Sequence, residues 1–241
     1  MTNPRIGALV VSFALASAGD TFGLERVHSR AAEYGSAWSG GNTTTLSYFN
    51  VCNEWTWTWL FYRDERLGVC FESPIPDPVL VSTTFVFDGT SHSGYGHTGT
   101  VAVYAADALD CPTGGALASS PYLPVDGAVT YEWDIPVPTR FVVLATTDYG
   151  IPVGQVGHFR SDHPAHGPTG PPACGTCFPE NRDTHSFYYG TVAQPLCPGT
   201  PLFDGLCNAE LMWTARLQPR VTSVDVAWQQ RTWSSIKALY R

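Results

Sequence analysis

The clearest pattern in the chain is an alternation. Residues 54–62 place Trp55, Trp57, Trp59 and Phe61 on one side, and Thr56, Thr58, Leu60 and Tyr62 on the other. A period of two in aromatic and β-branched residues predicts a strand. Arg63-Asp64-Glu65-Arg66 is a charged turn, and residues 67–72 return as a second strand, so the two together predict a hairpin. Pro74, Pro76 and Pro78 then break the chain. Residues 79–88 predict a strand with Val81, Phe85 and Phe87 on one face, and residues 100–106 another with Val101, Val103 and Ala105 inward. Strands follow at 129–135 and 140–147. In the latter, Phe141-Val142-Val143-Leu144-Ala145 is apolar on both sides, as in a strand covered on both faces. Residues 185–190 predict a short aromatic strand. Residues 210–217 alternate, with Leu211, Trp213, Ala215 and Leu217 inward and Glu210, Met212, Thr214 and Arg216 outward. Residues 109–124 and 149–184 show no periodicity and are rich in Pro and Gly, so both read as loops; a connection as long as the second is usually functional or stapled. About eight strands with no βαβ alternation predict an all-β fold: an antiparallel β-sandwich, jelly-roll-like and disulfide-stapled.

The two ends read differently. Arg5 precedes an apolar run over residues 6–18, which is too short to span a bilayer as a mature helix. Ala16-Ser17-Ala18 has the small-residue pattern of a cleavage site, so residues 1–18 read as a signal peptide cut before Gly19. Residues 19–45 form a polar lead-in, with a helical turn or two expected around residues 25–33. The sandwich spans residues 46–218, and residues 219–241 are a linker and tail. In the tail, Trp233, Ile236, Leu239 and Tyr240 fall on one face of a short helix that Thr232 would cap. No other apolar run approaches bilayer length, so the mature chain is expected to lack a transmembrane span.

Composition narrows the partners. Charged residues are 14% of the chain, against roughly 25% in an average soluble protein. The net charge of −8 argues against nucleic acid, whose phosphates need a basic face. The chain has 7 cysteines, and disulfides are the default in an exported protein. Cys174, Cys177, Cys197 and Cys207 are expected to form two disulfides that staple the long loop to the last strand, with the pairing left open. A zinc cluster is the alternative, but the wide gap between Cys197 and Cys207 suits a zinc ribbon poorly. Cys52 and Cys70 bracket the tryptophan strand and are placed to staple its hairpin. Cys111 is then left over, free and buried.

Candidate chemistry is sparse. The Trp55, Trp57 and Trp59 face reads first as core; as a functional site it would be a flat platform for sugar rings, or a subunit interface. His158, Asp162, His163 and His166 crowd one segment and are residue types that hold zinc or copper. Pro164, Gly167 and Pro168 keep them off any helical face, so a solvated loop is the first reading and a metal-dependent hydrolase the alternative. Gly94-Tyr95-Gly96-His97-Thr98-Gly99 matches G-x-G-x-x-G but runs into a strand, where a dinucleotide site needs a helix. No G-x-S-x-G nucleophile elbow occurs. Asp88-Gly89, Asp126-Gly127 and Asp204-Gly205 are turn signals, with structural calcium at one of them the weaker alternative; no other cofactor is implied.

Several segments occur together: the export signal, the Trp-x-Trp strand closing on Leu67-Gly68-Val69-Cys70-Phe71, and Leu196-Cys197-Pro198-Gly199 leading to residues 204–210. The terminal residues 233–241 join them. Together they resemble uncharacterised exported bacterial β-sandwich proteins that end in a short Trp/Lys/Tyr/Arg tail. The resemblance implies a secreted or cell-surface location and a non-catalytic role. The function expected is thus an exported structural or binding module, whose partner is a polysaccharide, another surface protein or a second copy. A carbohydrate-binding module using the aromatic strand, and the hydrolase on the histidine loop, are the alternatives.

Overall fold

In chain order the strands are β1 (Glu25–Arg30), β2 (Thr44–Ser47), β3 (Trp55–Phe61), β4 (Glu65–Glu72), β5 (Pro78–Phe87), β6 (Thr98–Ala106) and β7 (Pro112–Tyr122). They continue as β8 (Gly127–Pro136), β9 (Arg140–Asp148), β10 (Gly157–Asp162), β11 (Ser186–Thr191), β12 (Thr200–Pro201) and β13 (Trp213–Pro219). The computed structural model describes residues 25–30, 43–50, 55–61, 64–87, 98–122, 127–148, 157–162, 184–202 and 208–220. Residues 1–18, residues 221–241, Cys52, Cys174, Cys177, Cys207, His163 and His166 lie outside them. Among the described residues no helix is long and apolar enough to cross a membrane.

The strands form two antiparallel sheets packed face to face. One runs β1-β3-β10-β5-β13-β2 with β8 added to β5, and the other runs β12-β11-β4-β9-β6-β7. Most connections cross between sheets; only β6–β7 and β11–β12 join neighbours within one. The expected sandwich is present. The shared core holds Trp57, Trp59, Phe85, Phe87, Phe159 and Trp213 from the first sheet, and it holds Phe71, Val101, Val103, Phe141 and Val143 from the second. Its centre is a cluster of rings: Phe85 and Trp213 meet edge to face at 4.6 Å, and Phe159 and Trp213 at 4.9 Å. Such geometry sets the positive ring edge against a negative face. All five residues of Phe141–Ala145 are buried, because β9 lies between β4 and β6 and its outer side is also covered.

Several local expectations are corrected. β3 and β4 are not a hairpin: β3 pairs with β1 and β10, and β4 with β11 and β9. Asp64, in the left-handed region at φ 64°, turns the chain from one sheet to the other. The lead-in is a strand where helical turns were expected, since all six residues of β1 pair with β3. A free sheet edge gives these polar residues hydrogen-bond partners that an isolated helical turn lacks. The 109–124 loop contains β7, whose register on β6 jumps between Val103 and Ala105. Residues 114–117 bulge outward there, with Gly114 at φ 69°, which erases the alternation. The 149–184 loop contains β10. On β5 the register against β13 slips between Leu80 and Ser82, so the inward residue is Leu80 and Val81 is only half-buried. Glu210 and Met212, expected outward, are buried, because the chain before β13 lies along β10: Asp162 N donates to Glu210 O, and Met212 N to Arg160 O.

The cysteines are also rearranged. Cys111 is not free but bonded to Cys197, with Cα atoms 5.7 Å apart. Cys70 is not stapled to Cys52; it is a buried free thiol. The reason is topological. Cys70 points to the outer side of the second sheet, whereas the β6–β7 turn folds over that side and carries Cys111 to the segment after β11.

Candidate functional site: a cavity on the outer face of the second sheet

The outer face of the second sheet has its own small apolar cluster of Cys70, Val142, Leu144, Phe187 and Tyr189. Residues 192–199 cover it as a strap. Arg66 ties the strap to the end of β11 from below, its NH2 donating to the carbonyls of Tyr189 at 2.9 Å and Thr191 in β11 and of Gln194 at 2.8 Å in the strap. The disulfide ties it from the side. Gly199 allows the closest approach, since a Cβ there would stand 2.7 Å from the Tyr189 ring. Tyr189 donates its hydroxyl to Asp110 O at 2.8 Å, which joins β11 to the β6–β7 turn.

Beside the strap the outer face opens into a cavity of about 460 Å³. Buried Cys70 and Phe187 form its floor, Asp110 and Arg140 one wall, and Thr184 and His185 the other, with exposed Glu72 at the rim. Strand pairing sets much of this. Glu72 lies opposite Arg140 in the β4–β9 ladder, and Cys70 N donates to His185 O at 2.8 Å. The β6–β7 turn supplies Asp110. Asp107 Oδ1 accepts from Leu109 N at 2.8 Å and Cys111 N at 3.0 Å, a side-chain-capped turn that puts Asp110 in the left-handed region at φ 59°. Arg140 then donates from Nε at 3.0 Å and from NH2 at 2.6 Å to the same oxygen, Asp110 Oδ1.

The opposite wall is fixed by a buried carboxylate. Glu210 accepts from His185 N at 2.7 Å and from Ser186 Oγ at 2.5 Å, and lies 3.2 Å from His185 Nδ1. Asp162 anchors Glu210 in turn, Oδ1 accepting from Glu210 N at 2.9 Å and Oδ2 from Asn50 N at 2.8 Å. One face of the His185 ring is taken by Tyr48, stacked with centroids 3.6 Å apart and planes within 5°.

These surroundings support binding, not nucleophilic chemistry. Burial, then the hydrogen bond to Asp110, pushes the Cys70 thiol well above its ordinary value, so it carries no thiolate at neutral pH. The hydrogen bond to Asp110 holds Arg140 more firmly charged. Ser186 is fully buried and donates to a carboxylate, not to an imidazole, so no charge-relay triad forms.

Sequence reasoning did not find this site. Trp57 and Trp59 are in the core, 4% and 3% exposed, and present no face to a ligand; the Trp55 side chain is outside the description. Trp57 and Trp59 therefore offer no platform to a sugar, because the sandwich covers them between its sheets. Asp162 is a buried clamp for two backbone amides, and His158 sits in β10 opposite Leu60, its side chain not described. Among the described residues no three His, Cys, Asp or Glu side chains are grouped as metal ligands. Of the Asp-Gly turns only Gly127 is described, opening β8 at φ 99°.

No protein-family model and no curated protein matches the chain. Solved structures do. One is a crystal structure of the cysteine protease and lectin-like domains of Cwp84, a surface layer associated protein of Clostridium difficile; its TM-score is 0.51 at 11% identity. A second, the clostridial cysteine protease Cwp84 after propeptide cleavage, has a TM-score of 0.51 at 9% identity. Each match covers 76% of this chain but only 37% and 42% of those chains. At such identities the likeness is one of fold.

Proposed function

We propose that the chain is the binding part of an exported surface protein, that it is not an enzyme, and that its ligand is a carbohydrate. The observation that carries this is the cavity: an apolar floor inside a ring of hydrogen-bonding groups, with no activated nucleophile. Sugars combine an apolar C–H face with a polar edge and suit such a lining. Similarity to a structure containing a lectin-like domain supports the class of ligand. The Cys111–Cys197 disulfide fits an oxidising compartment, and residues 1–18 fit export to one. The test is a glycan array probed with the full, oxidised chain. Selective retention on one group of glycans is expected, and no retention on any glycan or insoluble polysaccharide overturns the reading. Export is checked by N-terminal sequencing of protein from its native source. A first residue at Gly19 is expected, and Met1 would contradict it.

A further inference from the structure

We infer that the cavity beside the strap takes a non-acidic sugar ring, selected against acidic sugars by the excess of hydrogen-bond acceptors in its walls. The inference rests on the carbohydrate reading above and assigns it a site and a chemical class.

The acceptors can be named. Glu72 at the rim and Asp110 on the wall are carboxylates, which accept and do not donate. Thr184 spends its hydroxyl proton on Ser186 O at 3.1 Å, so its oxygen also offers a lone pair. Against these stands one strong donor, Arg140, and two of its N–H groups are already on Asp110.

A ligand that fits must therefore bring donors. A pyranose brings several hydroxyls, and a pair of neighbouring ones can donate to Asp110 while accepting from Arg140. A uronic acid brings a carboxylate, which adds an acceptor and a negative charge beside Glu72 and Asp110. Like charges this close are unfavourable when partly desolvated. Phe187 supplies the floor on which the C–H face of the ring lies. The volume of about 460 Å³ lies in the ordinary range of small-ligand pockets, about 300–1,000 Å³.

The test uses calorimetry and ligand-observed NMR on the full, oxidised chain. The probes are the methyl glycosides of glucose, mannose, galactose, glucuronic acid and glucosamine. At least one neutral glycoside is expected to bind at least tenfold more tightly than the glucuronide. Arg140→Gln should weaken that binding about tenfold. Glu72→Gln lies at the exposed rim, leaves the fold intact and should narrow the gap between neutral and acidic sugars at least threefold. Tightest binding of the glucuronide overturns the inference. So does neutral-sugar binding that both variants leave unchanged, an outcome that would leave the carbohydrate reading standing. Failure of every glycoside here, and of every glycan on the array, overturns both.

Discussion

Gly99 faces Tyr122 across the β6–β7 ladder, and a Cβ there would stand 2.3 Å from the ring and 2.5 Å from Thr146 O. The last glycine of the G-x-G-x-x-G string thus seats a core tyrosine. Gly99→Ala is expected to cost about 2–3 kcal/mol in urea unfolding, the upper range for overpacking a core. A loss below about 0.5 kcal/mol would show that the ring swings aside. A second effect at this scale is alkaline instability. Burial is the largest cause pushing up Cys70, Tyr188 and Tyr189. Each keeps its proton in the folded state at a pH where the unfolded chain has released it. Their contribution is whole below the ordinary thiol and phenol values and is lost as pH rises through the folded ones. The urea midpoint should hold near neutrality and fall above about pH 9, and Cys70→Ser should make the fall shallower. A midpoint still flat at about pH 10.5 would contradict the burial of these groups. Some residue roles were visible in the sequence: Leu211, Trp213, Ala215 and Leu217 all point inward as their spacing requires. Glu210 was misread because alternation reports only which side of a strand a residue occupies. Its burial comes from β10 and β11, which close over it from elsewhere in the chain. Arg140 and Asp110 gave no signal for the same reason.

Strands with one clear buried side were legible, and those without were not. β6, β9 and β13 bury Val, Phe, Leu or Trp against the core, so their periodicity survives in the sequence. β7 is an edge strand that bulges into solvent, and β1 is a polar strip recruited by the edge of β3. Neither has a pattern to read. The corner between β3 and β4 looked like a hairpin because a short charged turn joins both; only the partners on either side distinguish them. The strap has no regular element, yet the outer face depends on it. Arg66→Ala removes the donor for three carbonyls and should cost about 3 kcal/mol, since half-buried carbonyls are left unpaired. Replacing Cys111 and Cys197 together by Ser opens a link across 86 residues and should cost about 4 kcal/mol. It should also weaken sugar binding, because Asp110 adjoins Cys111. Unchanged unfolding in both variants would show that the strap is held by its apolar contacts alone.

At the scale of the whole molecule, the sandwich was legible and its wiring was not, because alternation carries no information about which strands pair. β13, the last described strand, is flanked on both sides by β5 and β2 and needs no further strand beside it. Deleting residues 232–241 should therefore leave the thermal midpoint unchanged, and a drop of more than about 5 °C would show that the segment is structural. The wiring has a consequence in time. A chain made N-terminus first has β4, β9, β6 and β7 available once Asp148 has emerged, so four of the six strands of the second sheet can assemble early. The first sheet can form only its β1–β3 and β5–β8 pairs by then. These two pairs are joined only by β10, and β5 and β2 only by β13, the last described strand. Until then the tryptophans of β3 have no lasting cover, and a holding chaperone has a sticky, unfinished surface to grip. Contacts this distant in sequence also close slowly. For a polypeptide exported unfolded through a narrow pore, as proposed for this one, such lateness would be protective. The knot tightens only when nearly all of the thread is through, on the side where Cys111 and Cys197 can be oxidised.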